Sequence, residues 1–154
     1  MSDPKVVQPA GPAMVDAAEW VGQSCWAELR WHQVLTAWLA AEPQAETMVL
    51  WWSLRADAAE RAEAWHRRLP ELAQMPRSGF VGPPTEATDD AYGQWEAATD
   101  SDRRDRAVDA LAGLAERYRE HVSVAVGPAD APVAQTLADA LVAVQRSLTE
   151  LRSP

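Results

Sequence analysis

Two pairs of residues in the first half of the chain have the types and the spacing that metal binding needs. Glu28 and His32 lie four positions apart, and Glu63 and His66 form a Glu-x-x-His step. On a helix, these spacings place both members of each pair on one face. Carboxylates and imidazoles are ligands for zinc, manganese and iron. If neighbouring helices carry the two pairs, the four side chains predict a divalent-metal site between them.

Two other interpretations of the same residues remain open. A buried carboxylate is costly unless it is paired, so the Glu and His side chains could bond each other, or arginines such as Arg30, Arg55 and Arg67, as a satisfied polar cluster. They could also form a catalytic acid–base pair that uses no metal. We favour the polar cluster, because a single Glu-x-x-His step on a helix is a weak signal.

The two motifs resemble the metal-binding half of the ferritin-like superfamily of carboxylate-bridged di-iron proteins. Glu28 lies on one predicted helix and Glu63-Ala64-Trp65-His66 on the next, before a long connection. The resemblance implies that Glu28 and Glu63 are carboxylate ligands and His66 an imidazole ligand of a metal that activates dioxygen or peroxide. The family's last two helices supply the other ligands. Here their buried faces offer only Tyr118, so the set is incomplete within one chain, and a symmetric dimer could complete it.

Regular apolar spacing and helix-ending residues predict an all-α chain. Pro43 and Pro70 end the first two helices, and Gly127-Pro128 separates the last two, with Asp130 as a cap. The predicted helices cover about 17–41, 45–69, 89–98, 100–126 and 131–151. We therefore expect a ferritin-like four-helix bundle, with two antiparallel hairpins joined by a long crossover. The alternative is a plain up-down bundle.

The chain length fits one domain with a short leading segment. Of the 154 residues, we expect 1–15 to be disordered and 16–154 to form one helical domain, with a Pro- and Gly-rich linker over 70–88. On the second helix, the predicted buried face carries Glu63 and His66 together with Val49, Trp52, Ala56 and Ala59. On the last helix it is aliphatic and comprises Val133, Leu137, Leu141, Val144, Leu148 and Leu151.

Tryptophan is unusually frequent, with eight residues, of which seven lie on the first two predicted helices. Two helix faces cannot bury all of them. We expect most to pack in the core and the rest to reach a rim, where Trp anchors a partner or lines an apolar pocket. The candidate ligand or partner surface comprises Trp20, Trp31, Trp38, Trp51 and Trp52.

Composition excludes several classes of function. Fourteen basic against 23 acidic residues give a net charge of −9, which argues against binding nucleic acids or anionic membranes. Cys25 is the only cysteine, so a reducing compartment is expected. No apolar run is long enough to span a membrane, and no secretory signal is recognised at the amino terminus. These features predict a cytoplasmic protein.

The incomplete metal-ligand set decides between two functions. We expect a non-catalytic ferritin-like bundle without a cofactor, which binds a protein partner or a small apolar ligand through the Trp-rich first hairpin and forms a homo-oligomer or a complex with another protein. The alternative is a di-iron or mononuclear oxidoreductase of the ferritin-like superfamily that uses iron, manganese or zinc. Its metal ligands would be Glu28, His32, Glu63 and His66, and no catalytic residue is assigned.

Overall fold

The structure is a computed structural model that describes residues 12–72 and 75–154. The described residues form five α-helices and no β-strand, which confirms the all-α prediction and is compatible with a helical bundle. The helices are α1 (Pro12–Ala41), α2 (Ala45–His66), α3 (Glu86–Glu96), α4 (Asp100–Val124) and α5 (Ala131–Arg152). Two short 3-10 helices, Arg77–Phe80 and Pro128–Asp130, precede α3 and α5.

Three helix ends lie three or more residues from the predicted ones, namely the starts of α1 and α3 and the end of α2. The α1 helix begins at Pro12, a favoured residue for a first helical turn, so residues 12–15 of the segment predicted as disordered are helical. Residues 1–11 of that segment lie outside the described residues. The α2 helix ends at His66, because the chain then tightens into i→i−3 hydrogen bonds, from Arg68 N to Trp65 O (2.9 Å) and from Leu69 N to His66 O (3.1 Å).

The helices are arranged as two pairs. The α1 and α2 helices pack as an antiparallel hairpin, α4 packs chiefly against α5, and α3 lies against α1. The connection after α2 crosses α1 at Gly22, where a Cβ atom would overlap the carbonyl oxygen of Phe80. Gly22 therefore lets the 3-10 helix Arg77–Phe80 lie directly on α1.

Tryptophan side chains from the first hairpin form much of the core. Trp31, Trp38, Trp51 and Trp65 are fully buried. Trp38 packs edge-on against both Trp31 and Trp51, with ring centroids 5.4 and 5.0 Å apart. Its indole Nε1 donates a hydrogen bond to the carbonyl oxygen of Trp95 (2.9 Å), beside the end of α3. The Trp cluster thus joins α1, α2 and α3.

The buried face of α2 is not the predicted one. Val49 and Trp52 are 67% and 61% exposed, and the core-facing side instead carries Trp51, Leu54, Ala58, Arg61, Ala62 and Trp65. The helix is rotated by about one residue from the prediction, roughly 100° about its axis. The observed face buries two Trp rings and a Leu and so removes more apolar area from water than the predicted one.

The aliphatic face of α5 agrees better with its prediction, since Leu137, Val144, Leu148 and Leu151 are all buried. In the part of the chain that the structure describes, no helix combines the length and the apolar character needed to span a membrane.

Candidate functional site

A buried carboxylate lies where three helices meet. Glu28 of α1 has no solvent exposure. The Arg61 guanidinium of α2 donates two hydrogen bonds to it, from Nε to Oε1 (2.7 Å) and from Nη2 to Oε2 (3.1 Å). The Tyr118 hydroxyl of α4 donates a short hydrogen bond to Oε1. Glu28 is therefore paired in charge and bonded through both oxygens.

The charge of Glu28 stabilises the charged form of Arg61. Burial alone would lower the pKa of the Arg61 guanidinium, but the charge of Glu28 and its hydrogen bonds outweigh this and raise the pKa above its ordinary value. A two-point pair of this kind fixes orientation as well as distance. It holds α1 and α2 in one register.

Tyr118 and Trp65 extend the network. Trp65 Nε1 donates to the Tyr118 hydroxyl oxygen (3.2 Å). Burial, and then the negative charge of Glu28, raise the pKa of Tyr118 well above its ordinary value. The phenol therefore stays protonated and acts as a hydrogen-bond donor. The chain of hydrogen bonds runs from Trp65 through Tyr118 to Glu28.

Cys25 lies one helical turn before Glu28. Its thiol is buried and donates a weak hydrogen bond to the carbonyl oxygen of Ala62 (3.5 Å). Burial, and then the charge of Glu28, raise its pKa to about 11. Because the thiolate is the reactive form, Cys25 is an inert core residue at neutral pH.

Trp65 also takes part in an aromatic stack. The imidazole of His121, on α4, stacks on Trp65 (ring centroids 5.7 Å apart) and on Trp20 (5.1 Å). The Arg117 guanidinium lies over the Trp20 ring, 4.8 Å from its centroid. Burial, and then the charge of Arg117, lower the pKa of His121 to about 4. His121 is therefore neutral near pH 7.

The structure brings only part of the predicted metal set into the core. Glu28 is fully buried, His32 is half-buried, and Glu63 and His66 are exposed on α2. Within the two described ranges, no three His, Cys, Asp or Glu side chains form a group that could hold a metal ion. The rotation of α2 explains this, since it directs Glu63 and His66 outwards and turns Arg61 inwards.

The predicted Trp surface is likewise divided. Trp31, Trp38 and Trp51 are buried, Trp20 is half-buried, and Trp52 is exposed. Trp51 donates from Nε1 to the Glu42 carboxylate (3.2 Å) at the turn between α1 and α2. Most of the set therefore packs in the core, and Trp52 is the member that offers its ring to solvent.

Arg61 is a site residue that was not predicted from the sequence. The predicted polar partners of the Glu and His side chains were Arg30, Arg55 and Arg67. Arg30 instead pairs with Asp89 (3.2 Å) and Glu96 (2.7 Å) of α3, and Arg67 with Glu63 (3.4 Å) at the surface. The sequence does contain a signal for the burial of Arg61, because this residue shares one helical face with the apolar residues Leu54, Ala58 and Trp65. Arg61 interrupts that face as Glu28 interrupts the face of α1.

Comparison with known proteins identifies no relative. No family model, no curated protein and no solved structure matches this chain. The function proposed below therefore rests on the geometry of the chain's own residues.

Proposed function

We propose that this chain is a non-catalytic helical binding module that docks a protein partner on the exposed face of the α1–α2 hairpin. The observation that carries the proposal is an exposed Trp beside other exposed apolar side chains, in a protein whose seven other tryptophans are buried or half-buried. We call this surface the hairpin face. It comprises Leu29 of α1 and Met48, Val49 and Trp52 of α2.

The three α2 members of the hairpin face are neighbours by helix geometry. Met48 and Trp52 are four residues apart on α2, and Val49 and Trp52 are three apart, so they share one side of the helix. On α1, burial, and then the charge of Arg55 of α2, lower the pKa of His32 below its ordinary value. The three apolar residues of α2 therefore form one exposed patch, and Leu29 lies on α1 one turn before His32.

Physical chemistry favours a protein partner for this face. A Trp side chain carries a large apolar area with one polar atom, and such residues concentrate binding energy at interfaces. An exposed apolar group surrounded by polar residues marks an interaction site. A small apolar ligand is less well supported, because Trp31, Trp38 and Trp51 already fill the core.

We further infer a four-helix bundle with the ferritin-like chain path, in which α3 is an addition on α1. Two helix pairs with short connections, α1–α2 and α4–α5, support this arrangement, and so does the long connection between the pairs. The contact of Tyr118 with Glu28 fits this arrangement, because it joins one pair to the other.

A structural role for the buried polar cluster supports the non-catalytic part of the proposal. Both oxygens of Glu28 accept hydrogen bonds from Arg61 or Tyr118. The metal-dependent oxidoreductase is not supported by this geometry, since Glu63 and His66 lie on the exposed side of α2.

The test is a charged substitution in the hairpin face. Trp52→Glu should weaken partner binding by about 2 kcal/mol or more, which is roughly 30-fold in Kd. The matched control is Val142→Glu, at an exposed valine of α5. Sedimentation equilibrium of both variants and the wild type measures self-association, which would identify the partner as a second copy.

If the wild type is monomeric, a photo-reactive residue at position 49 should capture one defined partner in cells that make the protein. Cross-linking should be lost with Trp52→Glu and kept with Val142→Glu. A monomer that gives no defined cross-link, or binding that both substitutions weaken equally, would overturn the proposal.

A further inference from the structure

A second surface feature lies at the second half of α2. It is a pocket of about 280 Å³ between α2 and α5, which we call the α2–α5 pocket. Three arginines, two carboxylates and a hydroxyl line it together with alanines. These polar residues are Arg61, Arg67, Arg68, Thr136, Glu60 and Asp139.

The buried side of the pocket presents an incompletely satisfied guanidinium. Arg61 is only 6% exposed. Its Nε and Nη2 donate to Glu28, but its Nη1 is buried and has no hydrogen-bond partner among the described residues. A buried donor without a partner is unfavourable. Nη1 itself has almost no exposed surface, so Arg61 contributes part of the inner wall of the pocket, and a ligand would contact the side chains on the rim.

A second arginine is held at the same pocket. Arg68 Nε donates to the Thr136 hydroxyl (3.0 Å), and that hydroxyl donates to the carbonyl oxygen of Pro132 (3.1 Å). This connection fixes Arg68 against α5. In the described part of the chain, no carboxylate lies within ion-pair distance of the Arg68 guanidinium, so its remaining donors are free for a ligand.

The charge balance of the lining restricts what the pocket accepts. Glu28 neutralises Arg61, and Glu63 pairs with Arg67. The charges left are those of Arg68, Glu60 and Asp139, and neither carboxylate forms an ion pair with a described residue. A simple anion would be repelled by the two carboxylates, and a simple cation would be repelled by Arg68. A ligand with both charges satisfies both sets.

We propose that the α2–α5 pocket binds a small zwitterion of the size of a free amino acid. Its carboxylate accepts hydrogen bonds from the Arg68 guanidinium, in the planar geometry that suits arginine. Its ammonium group faces Glu60 and Asp139. The inference is independent of the hairpin face, because that face takes its α2 residues from 48–52 and the pocket takes its α2 residues from 60–68.

The experiment uses the full chain and measures binding by isothermal titration calorimetry and by amide chemical shifts. The probes are the proteinogenic amino acids one at a time, with acetate and methylammonium at matched concentrations as the separate halves of the ligand. We expect at least one amino acid to bind saturably, with shifts at residues around Arg68 and Thr136. Neither acetate nor methylammonium should reproduce these effects.

Arg61 is tied to the core, so the variants are Arg68→Gln and Asp139→Asn, both on the pocket's rim. Each should weaken amino-acid binding by about tenfold or more, the loss of one charge-assisted contact. Arg106→Gln, at an exposed arginine of α4, is the control and should bind as the wild type does. No saturable binding, equal binding of acetate alone, or binding unchanged in both pocket variants would overturn the proposal.

Discussion

Glu28 is the side chain on which α1, α2 and α4 converge. It accepts hydrogen bonds from Arg61 of α2 and Tyr118 of α4, with no exposure to water. The attraction within a buried ion pair is largely offset by the cost of removing both charges from water. The pair therefore contributes little net stability, but removal of one partner leaves an uncompensated charge in the core.

Replacement of Glu28 should be strongly destabilising. We expect Glu28→Gln to lower the free energy of unfolding by about 3–5 kcal/mol, because Arg61 stays charged and buried. Urea unfolding followed by Trp fluorescence measures this. Glu63→Gln, at an exposed carboxylate, should change the same free energy by less than about 0.5 kcal/mol.

A double variant separates loss of charge balance from loss of shape. Glu28→Gln combined with Arg61→Leu removes both charges, so it should regain part of the stability lost in Glu28→Gln. Equal losses in the Glu28 and Glu63 variants would show that Glu28 is not paired in the core.

The sequence places Glu28 on one helical face with the apolar residues Val21, Cys25 and Leu35, which indicates that Glu28 lies among core residues. It did not identify Arg61 as the partner, since an arginine on a helix with several charged residues is ordinarily exposed. The partner depends on the rotation of α2 about its axis. That rotation is set by packing against α1, which a single sequence reports weakly.

Gly22 sets how closely the connection after α2 approaches α1. A side chain at this position would overlap the backbone of Phe80. Phe80 is buried, at the end of the 3-10 helix Arg77–Phe80. A glycine inside a helix lowers its stability, so here the cost is offset by the packing that the close approach allows.

Gly22→Ala should displace the 3-10 helix from α1. We expect a loss of about 1–3 kcal/mol of stability, as for other overpacked sites, and faster tryptic cleavage at Arg77. Gly113→Ala is the matched control in α4, because a Cβ there meets no atom within 4 Å. It should stabilise the protein slightly. Similar effects of the two substitutions would contradict the close approach at Gly22.

Helix positions were predictable, but helix orientations only in part. Pro43, Pro70 and Gly127-Pro128 end or separate helices for steric reasons that act locally, so the predicted ends lie within a few residues of those observed. The buried face of α5 was also predictable, since its apolar residues form one stripe. On α2 apolar residues occur on two sides, and the choice between them depends on which Trp rings fit against α1.

Stability of the whole molecule should depend on pH through His121, which lies where α1, α2 and α4 meet. Burial, and then Arg117, lower the pKa of His121 to about 4, whereas Asp130 acts in the opposite direction. In the unfolded chain the pKa is about 6.5. Between these values the unfolded state binds more protons, so stability falls as the pH decreases from about 6.5 to about 4.

His121→Phe should remove this contribution while keeping a ring between Trp20 and Trp65. We expect the free energy of unfolding to fall less between about pH 7 and about pH 5 in this variant than in the wild type. Denaturant titrations at both pH values measure the difference. His66→Gln, at an exposed position, should retain the wild-type dependence. An unchanged dependence in His121→Phe would show that His121 does not titrate in this range.

The single thiol of the chain allows the opening of the α1–α2 hairpin to be measured. Cys25 is buried between α1 and α2, and its pKa is raised to about 11, so thiol reagents meet a protected and protonated group in the folded protein. Reaction then requires the hairpin to open, and the labelling rate reports how often it does so. Cys25 is therefore a native probe of the separation of α1 from α2, and no engineered probe is needed.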